Sequence, residues 1–382
     1  MSVLALVACA IVVLPVNGAD LDPLEPPQYE EPADNAFADY VRAGELLPTD
    51  IADPIYEAYD AGRDARPDVE GILDECREAL LALREGLPKA CLIPAGMSLD
   101  TKLPYLANFR QLTRLLCVEG RHYEWEGEWD KALGSYLDGL KLAQDTARRG
   151  ALIHKLVSLA CEAMLLKEIR ACVSQGEVDE PALAPLAERL AALEGSRVSL
   201  SEVLLWEFSY LRMSLPDLAA DPAKYLGEAA RLNRPDLGKA EDNLEAYYRE
   251  AIARCKQPYP IVADLPLAEP ADPLSAMFAP PLAPLHAKSV RGDVDFIGTA
   301  TVVALERHRL AHGEYPKELA QLVPAFLPAV PQDLFDEQPL KYAREGDSYI
   351  LYSVGENMVD DGGVPPPEPA LERFHDIVFH LP

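Results

Sequence analysis

Among these 382 residues there is no Gly-x-Ser-x-Gly elbow, no phosphate-binding glycine loop and no dinucleotide fingerprint. The local signatures of the common nucleophilic, phosphoryl-transfer and nicotinamide chemistries are therefore missing. Positive charge is scarce as well: 35 Lys and Arg stand against 63 Asp and Glu, for a formal charge of −28. Nucleic-acid binding depends on cations that neutralise phosphates, so this balance excludes nucleic acid as a partner. The seven cysteines (Cys9, Cys76, Cys91, Cys117, Cys161, Cys172 and Cys255) form no CxxC pair. Several fall on apolar helix faces, where Cys acts as a small hydrophobe, and no obligatory disulfide framework is expected. Finally, alternation at period two is missing over any useful length before residue 258, which leaves the helix as the expected element there.

What is present begins with an apolar run at residues 3–16, followed by Asn17-Gly18-Ala19 and an acidic, Pro-rich segment at 20–34. A membrane span needs roughly 20 apolar residues, so residues 1–19 suit a secretory signal peptide better. No Lys or Arg precedes the run. Either the true start lies upstream and lengthens it into a signal anchor, with membrane anchoring through the N-terminus, or the signal is atypical. Leu6-Val7-Ala8-Cys9 resembles a lipobox, yet the apolar run continues past Cys9. Export to the periplasm or the cell envelope is the expected address.

Helical spacing then recurs in windows 35–47, 51–61, 69–85, 106–126, 129–150, 151–173, 181–193, 200–215 and 237–255, with 217–234 broken by Asp221-Pro222 and Arg234-Pro235. Two long helices joined at Gly127 predict an αα-hairpin. Within it Leu116, Gly120, Tyr123, Ala132, Tyr136 and Gly139 stand at the spacings of a tetratricopeptide repeat, and residues 112–146 resemble one degenerate copy. A peptide-binding concave face and a plain bundle hairpin are the two readings. A lone repeat cannot bury its own apolar face, so neighbouring helices must cover it.

Eight prolines between Pro258 and Pro284 mark a change of composition. That density is expected to forbid helix and to give an extended linker or a strap on the helical body, residues 258–285. The domain order is therefore an all-α body at 35–257, the linker, and a tail at 286–382. In the tail a helix is expected over 294–311, Gly313 as its left-handed C-cap, and a short helix over 317–322 opened by Pro316.

The tail also carries an ordered set of motifs: Gly313-Glu314-Tyr315-Pro316, then Leu319 and Leu322, Pro331-Gln332-Asp333, Leu340-Lys341-Tyr342, residues 349–353, Gly355, Gly362-Gly363 and Asp376-Ile377. In this order they resemble the globular domain of type II secretion major pseudopilins, over about the last 85 residues. The resemblance implies a small α+β domain with a short antiparallel sheet, and calcium in the closing loop, where the family has Asp before Gly. Here Asn357-Met358 stand at that place, with one extra residue before Gly362-Gly363. The residues themselves offer the same chemistry: Asn357, Asp360, Asp361 and the later Asp376 could give a hard cation its oxygens around flexible glycines.

Two smaller constellations carry less. His308 and His312 are spaced i, i+4, but Arg309 stands where a zinc protease has Glu, so a solvated helix face is expected. Glu119 and His122 make one Glu-x-x-His pair where a di-iron bundle needs two. The expected protein is mainly α with a small α+β tail. It is read as a non-enzymatic interaction or scaffold protein of the envelope, with protein partners and possible association with secretion or pilus-like machinery left as expectations. The alternative is a metal-dependent hydrolase built on the tail carboxylates.

Overall fold

The computed structural model describes residues 24–63, 69–175, 177–226, 236–364 and 375–380. The expected signal segment, 1–19, lies outside them. The acidic segment that follows it is bound to the helical body from Leu24 onward. Leu24 is buried, Tyr29 stacks on Trp206 with centroids 6.2 Å apart, and Glu31 pairs with Arg149.

Asn35 starts α1 (Ala36–Glu45) as its N-cap, its Oδ1 accepting from Phe37 N at 3.1 Å. The same amide donates to Leu92 O at 2.8 Å, which ties the loop after α4 to the start of α1. α2 (Ala52–Asp60), α3 (Glu70–Glu75) and α4 (Arg77–Gly86) complete a first layer, whose Tyr40, Ala43, Leu80 and Leu83 meet Phe109 and Leu112 of the next helix.

The expected hairpin is α5 (Tyr105–Trp125) and α6 (Trp129–Ala147), turning at Gly127 with φ +73°. Gly120 lets the two helices approach, since a Cβ there would stand 2.2 Å from the Tyr136 ring. α7 (Leu152–Val173) packs on the other face of α6, with Leu165 over Gly139. The signature residues Leu116, Ala132 and Tyr136 are all buried, as packing between the two helices requires.

α8 (Glu180–Gly195), α9 (Leu200–Ala220), α10 (Pro222–Leu226) and α11 (Leu237–Cys255) extend the body. α9 continues five residues beyond its expected end, with Pro216 inside it.

The Pro-rich stretch departs from expectation in a specific way. It does lie as a strap on α9 and α11: Ser275 Oγ donates to Ala240 O at 3.0 Å, and the Tyr248 hydroxyl to Phe278 O at 3.2 Å. Yet it contains two short helices, α12 (Tyr259–Val262) and α13 (Pro273–Phe278), and the start of a third, α14 (Leu282–His312). The correction is physical. Pro260, Pro273 and Pro284 occupy first turns, where no intrahelical N–H is needed, so their density does not forbid helix.

α14 is the axis of the tail and starts twelve residues earlier than expected. It ends on Gly313, left-handed at φ +78°, whose N–H donates to Arg309 O at 2.7 Å. A short 3₁₀ turn (Leu319–Leu322) follows, then β1 (Lys341–Glu345), β2 (Ser348–Ser353) and β3 (Ile377–His380). They form one antiparallel sheet in the order β1-β2-β3, with Ala343 opposite Ile350 and Tyr352 opposite Val378. Asp333 pins the loop before β1 to the end of β2, its carboxylate accepting from Phe335 N, Ser353 Oγ and Val354 N at 2.8–3.0 Å. The molecule is mainly helical with this small sheet near the C-terminus. One continuous core runs from Leu137 and Leu165 of the body, through Val294 and Val303 of α14, to Tyr349, Leu351 and Phe379 of the sheet.

Candidate functional site

The loop between β2 and β3 gathers the four expected ligands, and their oxygens are turned to work within the loop. Asp376, buried beside the start of β3, accepts from Gly363 N at 2.7 Å and Asp361 N at 3.3 Å. Asp360 accepts from the Tyr352 hydroxyl and from Gly362 N, each at 3.0 Å. Asn357 Oδ1 accepts from Val359 N at 3.1 Å, and its amide donates to Asp361 Oδ2 at 3.3 Å. Burial raises the Asp376 carboxyl above the ordinary range, and the charges of Asp361 and Asp360 push the same way against the two N–H donors. Among the described residues no three His, Cys, Asp or Glu side chains are grouped to hold one metal ion.

Asp376 faces a second feature, a groove of about 520 Å³ between α7, α14 and β3. Its floor is Asp376 with the first three residues of the strand at the sheet edge, Ile377, Val378 and Phe379. Its walls bear Lys167 and Arg170 from α7 and Arg291 and Asp295 from α14. Arg170 is held in place from three sides. Nη1 donates to Thr299 Oγ1 at 2.7 Å, Asp295 Oδ1 stands 3.6 Å away, and the guanidinium lies 5.5 Å over the Phe379 ring. Burial pushes the Arg170 pKa below its ordinary value, with Arg291 adding to the depression and Asp295 opposing it. Lys167 and Ala163 are exposed at the rim. On a chain with 63 acidic residues this is a local concentration of cations.

The remaining candidates resolve into packing. Glu119 accepts from Ser135 Oγ at 2.6 Å and from Arg84 Nη1 at 3.1 Å, an ion pair at the hairpin. His308 is not on a solvated face: it is buried, 5.7 Å from the Phe326 ring, and its Nδ1 stands 3.0 Å from Glu314 O. Of the two histidines, His312 alone is exposed. No family model, curated protein or solved structure matches this chain.

The groove was missed in the sequence because its cations come from helices far apart in the chain and its floor from a strand near the C-terminus. The local signal was Lys167 and Arg170, two cations i, i+3 on a helix that is otherwise rich in Leu.

Proposed function

We propose that this is a non-enzymatic interaction or scaffold protein of the cell envelope, associated with secretion or pilus-like machinery. The observation that carries the reading is the groove beside β3: clustered cations and an edge strand meet there in a cavity of about 520 Å³. Ligand sites commonly measure about 300–1,000 Å³. The order of pseudopilin-like motifs in the tail and the apolar run at 3–16 support the envelope address. Among the described residues no helix is long and apolar enough to cross a membrane, so this reading places any anchoring at the N-terminal run.

The hydrolase alternative draws less support. Asp360 and Asp361 are exposed on the loop, and Asp376, the one loop carboxylate among the described residues that reaches the groove, accepts a backbone N–H at each oxygen.

With the full chain as bait in envelope extract, a specific protein partner is expected, and loss of secretion is expected on deletion. Recovery of no specific partner would contradict the reading.

A further inference from the structure

Among the described residues β3 has a neighbouring strand, β2, on one side only. Successive residues of a strand turn their N–H and C=O groups to opposite sides, so an edge strand leaves about half of them facing away from its sheet. Here β3 lines the groove. The opposite wall is one stripe of α7, on which the small side chains of Ala163 and Ala171 flank Lys167 and Arg170 and leave room between helix and strand.

We infer that the groove takes an extended acidic segment of a partner protein, which adds to β3 as a fourth strand and sets its carboxylates against the cations of the walls, Lys167 foremost. This rests on the reading of the molecule as an interaction protein and names how the partner docks. The dimensions agree with it. Neighbouring strands lie about 4.8 Å apart and rise about 3.3 Å per residue, so the three residues of β3 that line the groove offer a ladder about 10 Å long, up to His380, whose Nδ1 stands 3.3 Å from Ser174 Oγ. Main-chain hydrogen bonds to β3 would supply sequence-independent affinity, and the alternate side chains of the incoming strand would be chosen by the walls.

Charge makes that choice. Lys167, Arg170 and Arg291 stand against Asp295 and Asp376 around the groove. The Asp376 carboxylate is already engaged by the N–H groups of Asp361 and Gly363, which temper its charge. The chain as a whole carries a formal charge of −28, which disfavours an acidic segment. The cations of the groove offer such a segment a favourable local field, in a manner weakened by salt.

The test uses the full chain and a fluorescent heptapeptide of alternating Val and Asp, with a Val and Lys counterpart and free succinate as controls. The Asp peptide is expected to bind saturably, and about tenfold more weakly after Lys167→Glu or Ala163→Glu, both exposed positions. Amide exchange at residues 376–380 is expected to slow at least about tenfold on binding. No saturable binding, equal binding of the Lys peptide, or no change in either variant overturns the inference. So does displacement by succinate with β3 exchange unaltered, which marks an anion pocket without strand addition. If the peptide fails while the full chain still captures its partner from envelope extract, strand addition falls and the interaction reading stands; if both fail, both fall.

Discussion

Phe379 of β3 seats its ring directly on Gly298 of α14, where an added Cβ would lie 2.5 Å from two ring carbons. The guanidinium of Arg170 also lies over that ring, 5.5 Å from its centroid. One aromatic side chain thus joins the sheet edge, the axis helix and α7, and it fixes the floor of the groove. Gly298→Ala forces the ring to move, and overpacking of this kind costs about 1–3 kcal/mol. Urea unfolding should register that loss, and Phe379→Leu in the same chain should recover part of it. A change below about 0.5 kcal/mol, the range of ordinary surface substitutions, would contradict the packing.

His154 supplies a pH dependence. It is fully buried, with the Tyr105 hydroxyl 2.7 Å from Nε2, and burial lowers its pKa from 6.5 to about 4. The folded value lies below the unfolded one, so its contribution is complete above pH 6.5 and is lost as pH falls toward about 4. At about 1.36 kcal/mol per unit, the shift is worth on the order of 3 kcal/mol. Asp145, Glu162 and Glu207, raised by burial, act in the opposite sense. The readout is therefore the difference between wild type and His154→Gln. On acidification from about pH 7 the wild type should lose stability relative to the variant; parallel curves would refute the assignment.

The end of α2 is fastened to α5 and α7 by ions as well as by apolar contact. Glu168 accepts from Arg121 Nε at 3.0 Å and from Arg63 Nη2 at 2.8 Å, and Arg63 also pairs with Glu124. Removing one partner of a buried pair strands the others, at about 3–5 kcal/mol. Glu168→Gln is expected to cost that much in chemical denaturation. A loss under about 1 kcal/mol, the scale of exposed pairs, would show the cluster to be solvent-screened.

Calcium is expected to leave the melting temperature unchanged, because both oxygens of Asp376 and Oδ1 of Asp360 already accept from the loop's own donors. An ion held at a hundredfold its Kd would add about 2.7 kcal/mol, and a calcium-dependent rise in Tm of that size would restore the ion.

Much of the fold was legible because it rests on local signals. The apolar spacing of α5, α6 and α11, the αL cap at Gly313 and the close-packed Gly120 and Gly139 each stand in the sequence as they do in the structure. The Pro-rich segment is less legible, because proline's effect depends on its place in a helix, and spacing alone does not assign Pro273 or Pro284 to first turns. Asn357, Asp360, Asp361 and Asp376 lie together between β2 and β3, but sequence cannot tell whether a carboxylate faces an ion or a backbone N–H. The groove needed tertiary structure, since Lys167, Arg291 and Val378 share no local pattern.

That a partner docks beside β3 is tested most directly by site-specific cross-linking. A photo-reactive side chain placed at Ala163, exposed on the rim of the groove, should give a discrete adduct in the producing cell. The same group at Met277, 61 % exposed on α13 away from the groove, should give none. Equal adducts from both positions, or none from Ala163, would contradict docking beside β3.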